Sequence, residues 1–320
     1  KPGPFTWDVS RAMTGLALAA VEHDLSPDDA EQAMRSFAKR YVKTLRKHAK
    51  DPTDDGRTTE KNAPRVVQDL LASTATTRSR KKFLKKLVKD DAFKETDELK
   101  RAPHLRASVE NALQTYAAER DEDANFFKVK DVAVKSGSGT ASLGKTRLWV
   151  LIEGKGPKDK NDVVLELKPS STSVLEGLTP MTALDAQLHQ QGVQRVVQAE
   201  DVHLADSNPF YGHVAVDGVD HLVRERSPFK ARVDMTSFDG GDLKSYAKGM
   251  AEALAMAHAR SDADGGLRGD SMEAQILHAI EQQGGKGAFV DVMVDRAQQD
   301  AQQVAADWAT FKTLDANGQL

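Results

Sequence analysis

The sequence runs Leu148-Trp149-Val150-Leu151-Ile152-Glu153 and, after a short connection, Val163-Val164-Leu165-Glu166-Leu167-Lys168. Both runs have the length of a typical strand and are rich in β-branched and large apolar residues, so they predict two buried β-strands. A third predicted strand, Phe126–Val134, precedes them, and Gly212–Val216 with Val219–Arg226 forms a predicted hairpin. These segments together predict a small five-stranded antiparallel sheet.

Helical patterns lie on both sides of the predicted sheet. Before it, apolar residues recur at helical spacing, and Ser26-Pro27 marks a helix start because serine caps a helix and proline fits its first position. After it, residues 242–260 read as a helix whose buried stripe is predicted to be Met250, Leu254 and Ala257. The sequence therefore predicts an α+β protein.

The predicted elements divide the chain into three segments. Residues 1–123 form a helical part of a larger lobe, residues 124–232 form a β-rich small lobe, and residues 233–320 form the helical remainder of the larger lobe. The two helical segments are expected to pack against each other although they lie far apart in the sequence.

Composition narrows the possible functions. The chain has 320 residues, of which 39% are hydrophobic and 29% charged, which is typical of a globular protein. It contains no cysteine, so disulfides and thiolate chemistry are excluded. The nine histidines lack zinc-site spacing, and the net charge of −3 gives no general attraction to nucleic acid.

No apolar run reaches the ~20 residues that cross a bilayer, and the first residues do not form a signal peptide. We expect a cytoplasmic protein without a membrane partner or a metal site of its own.

A glycine-rich turn, Gly137-Ser138-Gly139-Thr140-Ala141-Ser142-Leu143-Gly144, connects the first two predicted strands. Glycine lets backbone N–H groups come close to phosphate oxygens, so the turn is a candidate phosphate cradle. An ordinary hairpin tip has the same composition and is the alternative interpretation. The candidate nucleotide-binding residues of the turn are Gly137, Gly139, Thr140, Ser142 and Gly144.

Lys168 ends the third predicted strand. A lysine at this position either extends to solvent or points into a cleft. Kinase-like folds present their phosphate loop and catalytic lysine in the same order, which is a strand, a glycine turn, a second strand and a third strand that carries the lysine. Glu200, on the following predicted helix, is the candidate partner of Lys168, with an exposed helix carboxylate as the alternative. The candidates at the adenine end of the site are Arg224, Glu225 and Arg226.

These motifs resemble the bacterial family called "domain of unknown function 2252". The family's Gly-Pro-Phe/Trp-x-Trp-Asp-x-x-Arg stretch is similar to the segment Pro2–Arg11. The resemblance also covers Gly139–Gly144 with Arg147, Leu165–Lys168, Gly192–Val197, Val223–Glu225 and Leu254–Ser261. Two positions depart from the family pattern: Pro169-Ser170 replaces Glu-Ala after the lysine, and Ala199-Glu200-Asp201 replaces Gly-Gln-Arg.

The resemblance implies a fold and a function. The family is similar to the protein-kinase-like superfamily with a permuted motif order, which implies a two-lobed fold and ATP-dependent phosphoryl transfer to a small molecule or a protein. Its catalytic-loop and metal-binding Asp motifs precede the Gly-Pro-Phe stretch, so the catalytic base and the Mg²⁺ ligands are expected outside this chain. Lys168 is then expected to hold the nucleotide phosphates, and Glu200 to hold Lys168.

Two other functions remain open at this stage. One is a pseudokinase, a regulatory module that binds a nucleotide without catalysis. The other is RNA or partner binding through the basic helix at residues 78–89, although few aromatic residues are nearby for base stacking and a solvated helix face explains the lysines equally well. Asp270, in Arg268-Gly269-Asp270-Ser271, resembles a catalytic-loop aspartate, but Asp270-Ser271 is better interpreted as a helix cap.

Overall fold

The computed structural model describes residues 3–50, 56–137, 144–156, 161–170, 192–205, 208–261 and 271–319. The chain divides into two compact units, which we describe separately. The sheet unit comprises residues 73–201 and 206–231, and the helical unit comprises residues 2–72, 202–205 and 232–320. Residues 73–123 therefore group with the sheet and not with the helices.

The main element of the sheet unit is an antiparallel sheet of six strands in the order β3-β4-β5-β6-β8-β7. A second sheet consists of β1 and β2 alone. The strands are β1 Val88–Lys89, β2 Ala92–Phe93, β3 Leu99–Arg101, β4 Val129–Lys135, β5 Arg147–Ile152, β6 Val163–Pro169, β7 Gly212–Val216 and β8 Val219–Glu225. The α+β class and the antiparallel sheet agree with the sequence prediction.

The predicted number of five strands is wrong, because β3 adds a sixth strand at the edge of the sheet. It pairs with β4, with Leu99 opposite Lys135 and Arg101 opposite Ala133. A three-residue Leu-Lys-Arg segment carries no alternating pattern, so only its pairing with β4 identifies it as a strand. Its two basic residues are exposed, which is a usual protection for an edge strand.

The predicted hairpin of β7 and β8 is present. Val216 pairs with Val219, and the two residues between them, Asp217 and Gly218, have φ values of 48° and 77°. A two-residue turn with both residues in the left-handed region matches the twist of the flanking strands, and Asp-Gly is a favoured sequence for it.

The two faces of the main sheet are covered differently. One face carries Leu165 and Leu167, which pack with Val109 and Leu113 of a helix in a core without charged residues. Because side chains alternate along a strand, Glu166 and Lys168 belong to the opposite face. On that face Trp149, Leu151 and Val164 belong to a second core.

The helical unit is built mainly on five helices. The helices of the described residues are α1 Phe5–Glu22, α2 Pro27–His48, α3 Arg65–Thr77, α4 Arg80–Leu87, α5 Arg106–Glu119, α6 Gln194–His203, α7 Gly240–Ala259, α8 Met272–Gln282 and α9 Gly285–Ala316. Helices α1 and α2 share one core with α7, α8 and α9. None of the helices in these described ranges is long and apolar enough to cross a membrane.

Helix starts are the best-predicted feature of this unit. Ser26 accepts a hydrogen bond from the Asp29 backbone N–H, and Pro27 is the first residue of α2. Ser271 likewise caps α8 by accepting from the Ala274 N–H, whereas Asp270 lies outside the described residues.

The predicted buried stripe of α7 needs correction. Its buried residues are mainly alanines, including Ala251 and Ala255, because small side chains let α7 pack closely in this core.

Candidate functional site

A charged cluster lies on the sheet face that carries Glu166. In the strand register, Trp149 of β5 lies opposite Glu166 of β6, and Arg224 of β8 lies opposite Glu166 on its other side. Arg147 lies two residues before Trp149 and therefore extends from the same face. Three neighbouring strands thus direct polar side chains toward one point.

Glu166 is the centre of this cluster. Its side chain is 2% exposed, and Arg224 donates from Nε to its Oε2 over 2.6 Å. Arg147 Nη1 lies 3.5 Å and Trp149 Nε1 lies 3.4 Å from its Oε1. A carboxylate buried in the middle of a strand is costly unless it is paired, and these donors supply the pairing.

The arginines keep Glu166 ionised. Burial on its own would raise the pKa of this carboxyl group. The positive charges of Arg224, Arg226 and Arg147, with the hydrogen bond from Arg224, outweigh burial and hold its pKa below the ordinary value of 4.5. The cluster therefore contains one fixed negative charge beneath several positive ones.

Lys168 lies on the same strand, two residues beyond Glu166, and is half-buried. Burial lowers its pKa, and repulsion from Arg147, Lys145 and Arg224 lowers it further, with only Glu166 acting in the opposite direction. Among the residues that the structure describes, no ion pair within 4 Å includes Lys168. The positive electrostatic potential around its ammonium group therefore favours the binding of an anion.

Arg226 completes the basic side of the cluster. Its guanidinium group lies 5.0 Å from the centre of the Trp149 ring, within the range of a cation–π contact. Burial lowers the pKa of Arg226, and its buried Nε has no hydrogen-bond partner within the described ranges. An arginine held against an aromatic ring in this way is positioned without using its hydrogen-bonding capacity.

The glycine-rich turn joins β4 to β5, and β5 begins with Arg147 of this cluster. Gly137 has φ of 64° and Gly144 has φ of 69°, so both ends of the turn adopt the left-handed conformation that glycine tolerates best. Gly139, Thr140 and Ser142 lie outside the described residues. Lys145, whose charge acts on Lys168, directly follows the second of these glycines.

Glu200, the predicted partner of Lys168, forms its hydrogen bonds with Asn208 and Tyr211. Its Oε1 accepts from the Asn208 backbone N–H at 3.3 Å. Burial, together with a hydrogen bond to Glu200, raises the pKa of Tyr211 to about 12. No ion pair among the described residues joins Glu200 to Lys168. The acidic residue whose charge acts on Lys168 is Glu166, for which the sequence motifs predict no role although it interrupts an otherwise apolar strand.

Glu225 and helix α4 form a structural contact. Arg80 donates from Nη2 to Glu225 Oε1 at 2.8 Å and from Nη1 to the Asp162 carbonyl oxygen at 3.3 Å. Leu84 of the same helix is buried in the second core of the sheet unit. The lysines of α4 are exposed, as a solvated face requires. The exposed set is Lys81, Lys82, Lys85 and Lys86.

Of the sequence-predicted residues, the structure brings Lys168, Arg224 and Arg226 into one cluster. Such a concentration of positive charge is suited to binding an anion that bears several charges, since arginine forks and an ammonium group are the usual phosphate ligands of proteins. Within the described ranges no group of three or more histidine, aspartate or glutamate side chains could hold a metal ion.

Comparison with known proteins places this chain among bacterial sequences. A family model with the description "Uncharacterized protein conserved in bacteria (DUF2252)" matches residues 1–314. The comparison with curated proteins and the comparison with solved structures each found no match.

Proposed function

The chain belongs to the bacterial family of uncharacterized conserved proteins DUF2252, and we propose that it binds the phosphate groups of a nucleotide on the basic face of its sheet. ATP is the expected nucleotide. The observation that carries the proposal is the environment of Lys168, which is half-buried, faces three other cations and has no ion pair among the described residues. A phosphate group would offset this repulsion, which Glu166 alone opposes only in part because the pKa of Lys168 stays lowered.

The basic residues divide into two roles in this proposal. Lys168 acts as a point charge on a phosphate oxygen, and binding of the anion would favour its protonated form. Arg147 and Arg224 are oriented by Glu166, because their guanidinium groups bond to its carboxylate. The outward N–H groups of Arg224, whose side chain is 38% exposed, would contact the phosphates. Glu166 is thus a positioning residue and makes no contact with the nucleotide.

The glycine-rich turn would add backbone donors. Gly137 and Gly144 set its two ends in the left-handed conformation, and the basic cluster begins at the second end with Lys145 and Arg147. Amides of such a turn can bind phosphate oxygens without the bulk of side chains. Gly139, Thr140 and Ser142 keep their proposed part in this cradle.

We further propose that the protein is a kinase-like phosphotransferase with a permuted two-lobed fold. The residues described here would contribute binding and charge neutralisation, which are the main protein contributions to phosphoryl transfer. The catalytic base and the ligands of Mg²⁺ would be residues outside the described ones. No step through the metal ion is assigned to the described side chains, which contain no cluster of three or more acidic or histidine residues that could hold it.

Thermal unfolding with and without MgATP tests nucleotide binding. A ligand that binds only the folded state at 100 times its dissociation constant stabilises by about 2.7 kcal/mol. We expect this stabilisation in the wild-type protein and in a Lys100→Ala control, which removes an exposed lysine of the edge strand β3. Lys168→Ala should remove most of it without lowering the melting temperature of the free protein.

Equal stabilisation of the Lys168→Ala and wild-type proteins by MgATP would contradict the assignment. An ATP-turnover assay on the same samples then separates two functions. Turnover that depends on Lys168 supports a phosphotransferase. Binding without turnover supports a nucleotide-binding module that does not catalyse the reaction.

A further inference from the structure

The helical unit contains a second basic surface, which none of the preceding residues forms. It is a cavity of about 310 Å³ between α2, α7 and the start of α9. Six basic side chains line it, and we call it the lysine groove. They are Lys39, Arg40, Lys43, Arg46, Lys248 and Lys286.

Helical spacing explains how α2 supplies most of the groove. Lys39, Lys43 and Arg46 follow one another at intervals of four and three residues, so they share one face of the helix. Phe37 and Tyr41 lie on another face and are fully buried in the core. The helix is therefore fixed by its apolar side and presents a row of cations on the other.

Only the arginines of the groove have acidic partners among the described residues. Arg40 pairs with Glu252 at 3.0 Å, and Arg46 pairs with Glu281 at 2.8 Å. Within the described ranges, no ion pair reaches the four lysines, and no acidic residue lines the cavity. Like charges that share a groove repel one another, and an anion bound between them would relieve that repulsion.

Lys286 adds a second unfavourable feature. It lies in the first turn of α9, where the partial positive charge of the helix end disfavours a cation. The N-cap residue, Gly284, forms no side-chain capping bond, and this first turn contains no acidic residue. At Gly287 a Cβ atom would meet nothing within 4 Å, so packing does not require a glycine there. The helix end therefore strengthens the positive potential of the groove and leaves room beside it.

We propose that the lysine groove binds a small ligand that carries two or more phosphate groups. Its volume of about 310 Å³ lies at the lower end of the roughly 300–1,000 Å³ of small-molecule pockets, which suits a ligand as small as a di- or triphosphate. No aromatic side chain lines the groove, so it offers no stacking platform for the bases of single-stranded nucleic acid. Several lysines around one cavity match several phosphates better than a single one.

Calorimetric titration with inorganic triphosphate tests this site. All proteins carry Lys168→Ala, so that binding on the sheet face does not contribute. The test variant adds Lys43→Gln with Lys248→Gln, and the matched control adds Lys47→Gln with Lys244→Gln, which makes the same charge change on the same two helices outside the groove. We expect the dissociation constant to rise about tenfold or more in the test variant, and by less than about twofold in the control.

Other outcomes would overturn the proposal. One is no binding of triphosphate to the Lys168→Ala protein, and another is an equal loss of affinity in both variants. Orthophosphate that binds as tightly as triphosphate would show that the groove does not recognise several phosphates. A single-stranded RNA that displaces triphosphate and binds more tightly through Lys43 and Lys248 would replace the small ligand with nucleic acid. Circular dichroism of all variants confirms that they remain folded.

Discussion

Arg224 donates from Nε to Glu166 Oε2 over 2.6 Å, across two adjacent strands of the main sheet. The pair joins a nearly inaccessible carboxylate to a guanidinium group whose side chain is 38% exposed. Arg224 is therefore anchored at its inner side and accessible at its outer side. This is the geometry by which a buried acid can orient a surface arginine toward a ligand.

Removing the charge of Glu166 should destabilise the protein. Glu166→Gln keeps the shape of the side chain but leaves Arg147 and Arg224 without their carboxylate. Breaking a buried ion pair by removing one partner costs about 3–5 kcal/mol. Because Arg224 is partly exposed, we expect a loss of about 2–3 kcal/mol in the free energy of unfolding, measured by urea denaturation.

Glu98→Gln is the matched control for this variant. Glu98 pairs with Lys135 at 2.6 Å, but its side chain is 60% exposed. The Glu98 carboxylate is largely solvated, and Lys135 keeps its hydrogen bond to the Ser136 carbonyl oxygen, so this variant should unfold close to the wild-type urea midpoint. A Glu166→Gln protein as stable as Glu98→Gln would contradict the anchoring role of Glu166.

The contribution of Glu166 should also disappear in acid. Its pKa is lower in the folded protein than the ordinary value of 4.5, so the unfolded chain takes up its proton at a higher pH than the folded protein does. The stabilisation is therefore fully present above about pH 4.5 and is lost as the pH falls through the folded-state pKa. The stability difference between wild type and Glu166→Gln should be constant from pH 7 to about pH 5 and shrink below it. A stability difference that grows in acid would contradict the lowered pKa of Glu166.

Local signals explain which strands the sequence predicts. Strands β5 and β6 are apolar runs, and the hairpin of β7 and β8 carries a turn sequence at its centre, so each is recognisable within a few residues. Strand β3 has no such signal, because its three residues are strand-like only through their pairing with β4. The buried stripe of α7 is not predictable from residue size for a related reason. Its alanines are buried because they allow close helix packing, whereas the larger Met250 and Leu254 are only partly buried.

The candidate site is predicted only in part for the same physical reason. Lys168 is found from its position at the end of an apolar strand. The charged groups around Lys168 are not predictable in this way. Glu166 lies 19 residues from Arg147 and 58 residues from Arg224 in the sequence, and only the strand register brings them together. A charged residue inside a buried strand is itself a usable signal, since it must find a partner.

Phosphate binding on the sheet face should weaken in alkali. The pKa of Lys168 is below the ordinary value of 10.5, mainly because of burial, so its ammonium group loses its proton before an exposed lysine does. The anion binds the charged form, and its affinity should fall as the pH rises from neutral toward the ordinary lysine value of 10.5. In Lys168→Arg the guanidinium group stays charged throughout, so its ATP affinity should change less over this range. Identical pH profiles of the two proteins, measured by calorimetry, would exclude Lys168 as the titrating ligand.

Two helix glycines should respond to alanine in opposite directions. Replacing a glycine inside a helix by alanine stabilises by about 0.5–1 kcal/mol when the methyl group has space. At Gly15 of α1 a Cβ atom would meet nothing within 4 Å, whereas at Gly249 of α7 it would overlap the ring of Pro64. We expect Gly15→Ala to raise the free energy of unfolding, and Gly249→Ala to lower it by about 1–3 kcal/mol, because overpacking exceeds the gain in helix propensity. Urea denaturation of both variants measures the contrast, and a stabilised Gly249→Ala protein would mean that Pro64 moves aside without cost.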